Sequence, residues 1–170
     1  GINELVEAFL QLLNEHNNIR LLLVGNYESK LDPVSPLTMQ RISTTKEIEA
    51  VGPKQGDELI AYYAASDCFV FPSYREGFPN TVIEAGAMGL PSIVTDINGS
   101  REIVVANENG VVIPPRDEKS LYKAMKFMVE KEKERTLMAG NARRMIASRY
   151  DQKFVRECLM GFYRQITAAH

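Results

Sequence analysis

Cysteine, histidine and tryptophan are scarce in this sequence: two, two and none among 170 residues. Cys68 and Cys158 are too few and too far apart for the disulfide framework of a small secreted domain, so both are expected as reduced thiols in a cytoplasmic protein. Neither a His/Cys cluster at ligand spacing nor an Asp-x-Asp pair occurs, and no metal ion is expected as a cofactor. No apolar run is long enough to span a bilayer, and no signal-peptide pattern opens the chain. Basic tracts are missing, and a net charge of −2 with a pI near 5.8 argues against a nucleic-acid partner. Internal repeats and low-complexity segments are absent as well.

What is present is an ordinary charged fraction of 25% and a 19.1 kDa chain, enough for one domain that buries roughly 70% of its unfolded surface. Short apolar runs at residues 19–25, 47–52, 68–72, 91–95 and 111–114 read as strands, those at 68–72 and 91–95 as fully buried parallel ones. Helical patterns alternate with them. The first, at 5–13, is amphipathic; Pro33 and Pro36 leave residues 26–45 as a loop with a helix only after Ser35; residues 56–66 carry Asp57 and Glu58 in their first turn. Further helices are expected near Asn80, at 102–106, from Asp117, and at 131–150 with Leu137, Met138, Ala142, Met145 and Ile146 on one side. The class is α/β: a Rossmann-like parallel sheet flanked by helices.

The stretch from Glu76 to Pro91 is the one the rest is organised around. Ligands of such folds sit outside the carboxyl ends of the strands, which is where residues 73–80 lie. Gly77 frees the backbone and Pro79 fixes its own φ, so the loop can turn sharply into a helix opening at Asn80 or Thr81, with Asn80 a good N-cap. The free N–H groups of that first turn and the helix dipole suit a phosphate or diphosphate. Glu84, one turn further in, can accept two hydrogen bonds from a vicinal diol such as ribose. Glu76 suits sugar hydroxyls better than a diphosphate. Two arbitrary glutamates would ordinarily be solvated surface charges. The small residues Ala85, Gly86, Ala87 and Gly89 shift the balance, because they suit close approach of backbone to a ligand or a neighbouring strand.

The run from Ser73 to Ala85, with Gly89-Leu90-Pro91 and the run from Thr95 to Glu102, resembles the C-terminal, donor-binding domain of retaining glycosyltransferases of family four. Glu76 and Glu84, with seven residues between them, match that family's glutamate pair, and the likeness extends from Gly1 to about Tyr150. It implies half of a two-domain GT-B architecture that binds a nucleoside-diphosphate sugar, a UDP-sugar being the expected form. Transfer with retention to a glycan or lipid-linked acceptor would follow, in bacterial surface polysaccharide assembly at the inner face of the membrane. By this resemblance Glu76 is the catalytic contact to the donor sugar and Glu84 holds the ribose hydroxyls. Residues Gly77, Phe78, Pro79, Asn80 and Thr81 cradle sugar or diphosphate oxygens, while Val51 and Gly52 border the base. Gly25 stands at the mouth of the site, where a plain strand-to-loop turn is an equal reading. Pro79-Asn80 departs from the family's usual Gly-Leu, which bears on donor identity. A sugar-nucleotide epimerase of related fold and a non-catalytic nucleotide-binding module are the rival readings.

The family pattern also implies that Gly1 follows a strand and basic diphosphate-binding residues, so residues 1–170 are expected as a single donor domain of a longer protein, inactive in transfer alone. Residues 151–170 would form a terminal helix crossing to an N-terminal acceptor domain, with its apolar face exposed or covered by a second copy. His16 is expected to cap the first helix, Lys54 to be a solvated loop residue, Tyr62 and Tyr63 to pack, and Glu102 to be a helix-end acid; residues 98–102 form a second loop expected beside the first, since it follows the adjacent buried strand.

Overall fold

The computed structural model describes residues 1–27 and 33–168. Residues 28–32, part of the loop expected at 26–45, lie outside the described residues.

Thirteen elements follow in order among the described residues: α1 (Ile2–Leu13), β1 (Leu21–Val24), α2 (Pro36–Thr44), β2 (Ile48–Gly52), α3 (Gly56–Ala64), β3 (Phe69–Phe71), α4 (Asn80–Ala87), β4 (Ser92–Thr95), α5 (Ser100–Ile103), β5 (Gly110–Ile113), α6 (Glu118–Glu130), α7 (Glu132–Tyr150) and α8 (Gln152–Ala168). Every ladder is parallel, in two groups: β1 with β2, and β3-β4-β5. One core cluster joins them, in which Leu21, Ile48, Ile93 and Ile113 from both ladders meet Leu5, Phe9 and Leu12 of α1 and Leu121 and Met125 of α6. The α/β, Rossmann-like expectation is met.

Position in the ladder decides burial. β4 is central and all four of its residues are buried, whereas β3 is an edge and its three are only half-buried, so the expectation of a fully buried strand there is corrected. The strand expected at 19–25 is likewise shorter, and only Leu21 of β1 is fully buried.

Local chemistry sets the helix starts. Ser35 caps α2 by accepting from Thr38 N at 3.1 Å with Pro36 in the first turn, and Asp117 caps α6 by accepting from Ser120 N at 3.0 Å. The helix expected at 102–106 instead opens at Ser100 and stops at Ile103. Buried Asn109 explains the stop: its side chain donates to Ile103 O at 3.1 Å and accepts from Val105 N at 2.7 Å, pulling the chain out of helical pairing. On α7 the core stripe is Met138, Ala142 and Ile146, while Leu137 faces outward at 67% exposure. His16 does not cap α1 with its side chain; its Nε2 lies 3.3 Å from Glu130 Oε1, at the end of α6. Within this chain the apolar face of α8 is uncovered, with Phe154, Leu159, Met160, Phe162 and Tyr163 all exposed.

Cys68 and Cys158 are free thiols, one half-buried at the entry to β3 and one exposed on α8. Burial pushes the Cys68 thiol up to about 12. Titration of the native protein with a thiol-reactive chromogen near neutral pH should therefore count one fast thiol, lost in Cys158→Ser, and a second only after unfolding. Two equally fast thiols would contradict this placement.

Candidate donor-binding site

The loop between β3 and α4 is tied down from two sides. Thr95 Oγ1, at the end of β4, donates to Ser73 O, and Ser73 Oγ donates to Glu76 Oε1 at 2.7 Å. Glu76 is thus oriented by a chain of contacts that starts in the buried central strand. From the other side comes the 98–102 loop: a Cβ built on Gly99 would stand 2.2 Å from Gly77 O and 3.1 Å from Pro79 Cδ. The two loops touch, as their adjacent strands led one to expect. Phe78, 44% exposed, sets its ring edge-on to Tyr150 at 5.6 Å, and the Tyr150 hydroxyl donates to Glu102 O at 3.0 Å. Glu102 therefore meets Tyr150 through its backbone.

Helix α4 begins at Asn80, so Asn80 is the first helical residue rather than the N-cap. Pro79 occupies the cap position, buried, and no side chain caps the helix. Asn80 and Thr81 are exposed there, leaving first-turn N–H groups to solvent or a ligand. Glu84 is also exposed, yet it is not a free surface charge: Tyr63 of α3 donates its hydroxyl to Glu84 Oε2 at 3.2 Å, with Thr81 O at 3.4 Å as a second acceptor. Burial first, and then the charge of Glu84, raises the Tyr63 phenol well above its ordinary range, so it is a neutral donor. Tyr63 packs as expected but also bonds, and twenty-one positions of separation gave no periodic signal of that.

The small residues of α4 have an explanation inside the fold. A Cβ on Gly86 would stand 2.7 Å from Ile146 Cγ1, so this glycine lets α7 lie close to α4. Ala85 is wholly buried against Tyr63 and Leu90.

Gly25, Val51 and Gly52 gather at the carboxyl end of the other ladder, where Gly25 N donates to Gly52 O at 3.0 Å. The register slips there: Leu23 faces Ala50 and Val24 faces Gly52, so Val51 is a bulged residue with no partner in the ladder. A Cβ on Gly25 or Gly52 would meet nothing within 4 Å, and both sit beside open space.

Lys54 is only partly solvated: it lies over the Tyr62 ring at 5.8 Å and 3.8 Å from Glu58 Oε2. Among the described residues one group has the spacing of metal ligands: Glu15, His16 and Glu130. Lys126 already sits among them, bonded to Glu15 and 3.7 Å from Glu130 Oε1, and with Tyr122 it holds the Glu15 carboxyl below its usual range.

The model of the family described as glycosyl transferases group 1 matches residues 1–145. The capsular polysaccharide biosynthesis glycosyltransferase CapM of Staphylococcus aureus is 28% identical over 165 residues, spanning 96% of this chain and 42% of CapM. Among solved structures, sucrose-phosphate synthase from Thermosynechococcus elongatus superimposes with a TM-score of 0.84 at 27% identity, covering all of this chain and 43% of that one. HepE of Anabaena, determined in complex with UDP-glucose, gives 0.82 at 20% identity over 95% of this chain and 44% of its own. This chain spans less than half the length of these proteins. With the fold of the C-terminal half of a GT-B architecture and the family's model covering residues 1–145, the chain belongs to the glycosyl transferases group 1 family.

Proposed function

We propose that this chain is the donor-binding half of a retaining glycosyltransferase and holds a nucleoside-diphosphate sugar, a UDP-sugar, for transfer to a glycan or lipid-linked acceptor. The observation that carries the reading is Glu84: an exposed carboxylate held by a buried tyrosine, one turn inside a helix whose N-terminus no side chain caps. A diphosphate at the first turn and ribose hydroxyls on Glu84 would satisfy both groups at once. Glu76, fixed by Ser73, is assigned to the donor sugar. First-turn N–H donors at Asn80 and Thr81 would stabilise charge growing on the departing diphosphate, and no metal ion is assigned a part. Val51 and Gly52 are assigned to the base, supported by the bulge that leaves Val51 unpaired, and Gly25 to the adjoining wall. CapM's role in capsule biosynthesis and the UDP-glucose held by HepE support a UDP-sugar donor and a surface-polysaccharide setting.

Calorimetric titration with UDP, GDP, ADP and their glucose conjugates tests this reading, with Glu84→Ala beside the wild type. One base family should bind, the uridine one, and the variant should lose tenfold to a hundredfold in affinity, since hydrogen bonds to a charged group contribute about 1.5–3 kcal/mol. Binding that survives Glu84→Ala unchanged, or no binding at all, would overturn it.

A further inference from the structure

We propose that Tyr63 is a positioning residue that fixes the Glu84 carboxylate for a ribose diol, making the site selective for ribonucleotides over their deoxy counterparts. The inference rests on the donor-site reading above. Tyr63 is 8% exposed, and its ring is locked between Phe69, edge-on at 5.9 Å, and the buried pair Ala85 and Leu90. Its hydroxyl is therefore delivered to one place by packing. There it has two acceptors, Glu84 Oε2 at 3.2 Å and Thr81 O at 3.4 Å, and the charged, nearer one is the stronger.

An exposed glutamate on a helix ordinarily samples several rotamers, and a ligand that needs one of them must bear the ordering cost on binding. Tyr63 removes much of that cost beforehand. It engages Oε2 from the buried side and leaves Oε1, with the remaining lone pair of Oε2, to two neighbouring hydroxyls. A carboxylate held this way recognises a pair of adjacent hydroxyls, whatever base or sugar lies on either side.

The test compares wild type with Tyr63→Phe, which keeps the ring and its packing. Whichever of UDP, GDP and ADP the wild type binds is titrated against its 2′,3′-dideoxy form. Wild type should prefer the ribo form, and the variant should lose about three- to tenfold of that preference while its affinity for the dideoxy form stays unchanged. In a Glu84→Ala background, Tyr63→Phe should change nothing further. Equal losses for both forms, or none, would assign Tyr63 to packing alone and overturn the proposal while leaving the donor site standing. A wild type that binds none of the three, or fails to distinguish ribo from dideoxy, would overturn the donor-site reading and this proposal with it.

Discussion

Replacing Gly99 by alanine should cut nucleotide affinity at least tenfold and lower the free energy of unfolding by about 2–5 kcal/mol. Gly99 has φ 80° and ψ −55°, a conformation that L-residues adopt only under strain. Its added Cβ would also meet Gly77 O at 2.2 Å and Gly77 C at 3.0 Å, and backbone on both sides must move to relieve that contact. The 98–102 loop cannot easily retreat, because Ser100 within it and Ile103 just beyond it are buried. The loop that yields is the one carrying Gly77 to Pro79, which leads into the first turn of α4. Displacing it shifts the N–H groups and Glu76 together, which is why a residue assigned no ligand contact should cost so much binding. Asn98→Ala is the control: Asn98 is exposed and bonds only to Arg101 among the contacts described, so stability should stay within about 0.5 kcal/mol. Urea unfolding and calorimetry on both variants decide the matter, and a Gly99→Ala protein that binds like wild type would show that the two loops are not coupled.

The features the sequence shows plainly are those with a short-range cause. Ser35-Pro36 and Asp117 each announce a helix through a local mechanism, and the alternation of apolar runs announces the strands, though with shorter bounds than expected for β1. The glutamate pair was equally legible, because its surroundings fit within one strand-loop-helix unit. What stayed hidden depends on residues far apart in the chain. Gly86 is needed for the close approach of Ile146 on α7. Tyr63 reads as a core aromatic until α3 and α4 are set side by side. Asn109 looks like a turn residue, yet its side chain is what ends α5 early. Val51 becomes a bulge only when the register of two strands is known. The half-burial of β3 follows from its place at the edge of a ladder, which no apolar run can state.

Two glycines that look alike in sequence should respond to alanine in opposite directions. Gly110 opens β5 opposite Ser92 of the fully buried central strand. A Cβ there would lie 2.1 Å from Ser92 O, 3.0 Å from Ser92 C and 2.8 Å from Val104 Cγ1. Two of those three atoms are backbone, so no rotamer change relieves the contact and the β4–β5 ladder must part. Asn109, the preceding residue, is buried and bonded to Ile103 and Val105, which blocks retreat on that side. The expected cost is about 3–5 kcal/mol, above the roughly 1–3 kcal/mol typical of overpacking because backbone must move, and a large fraction of a typical domain's total stability. At roughly 2–4 °C per kcal/mol for a chain of this size, the melting temperature should fall by about 6–20 °C. Gly140 sits in the exposed middle of α7 with nothing within 4 Å of an added Cβ. Alanine there should stabilise by about 0.5–1 kcal/mol, because it restricts the unfolded chain and suits the helix. Thermal melts of the two variants against wild type should therefore move apart. If Gly110→Ala melted with the wild type, the close packing of β5 on β4 would be softer than described. The loops that follow those strands would then lack the rigid base on which the proposed donor site depends.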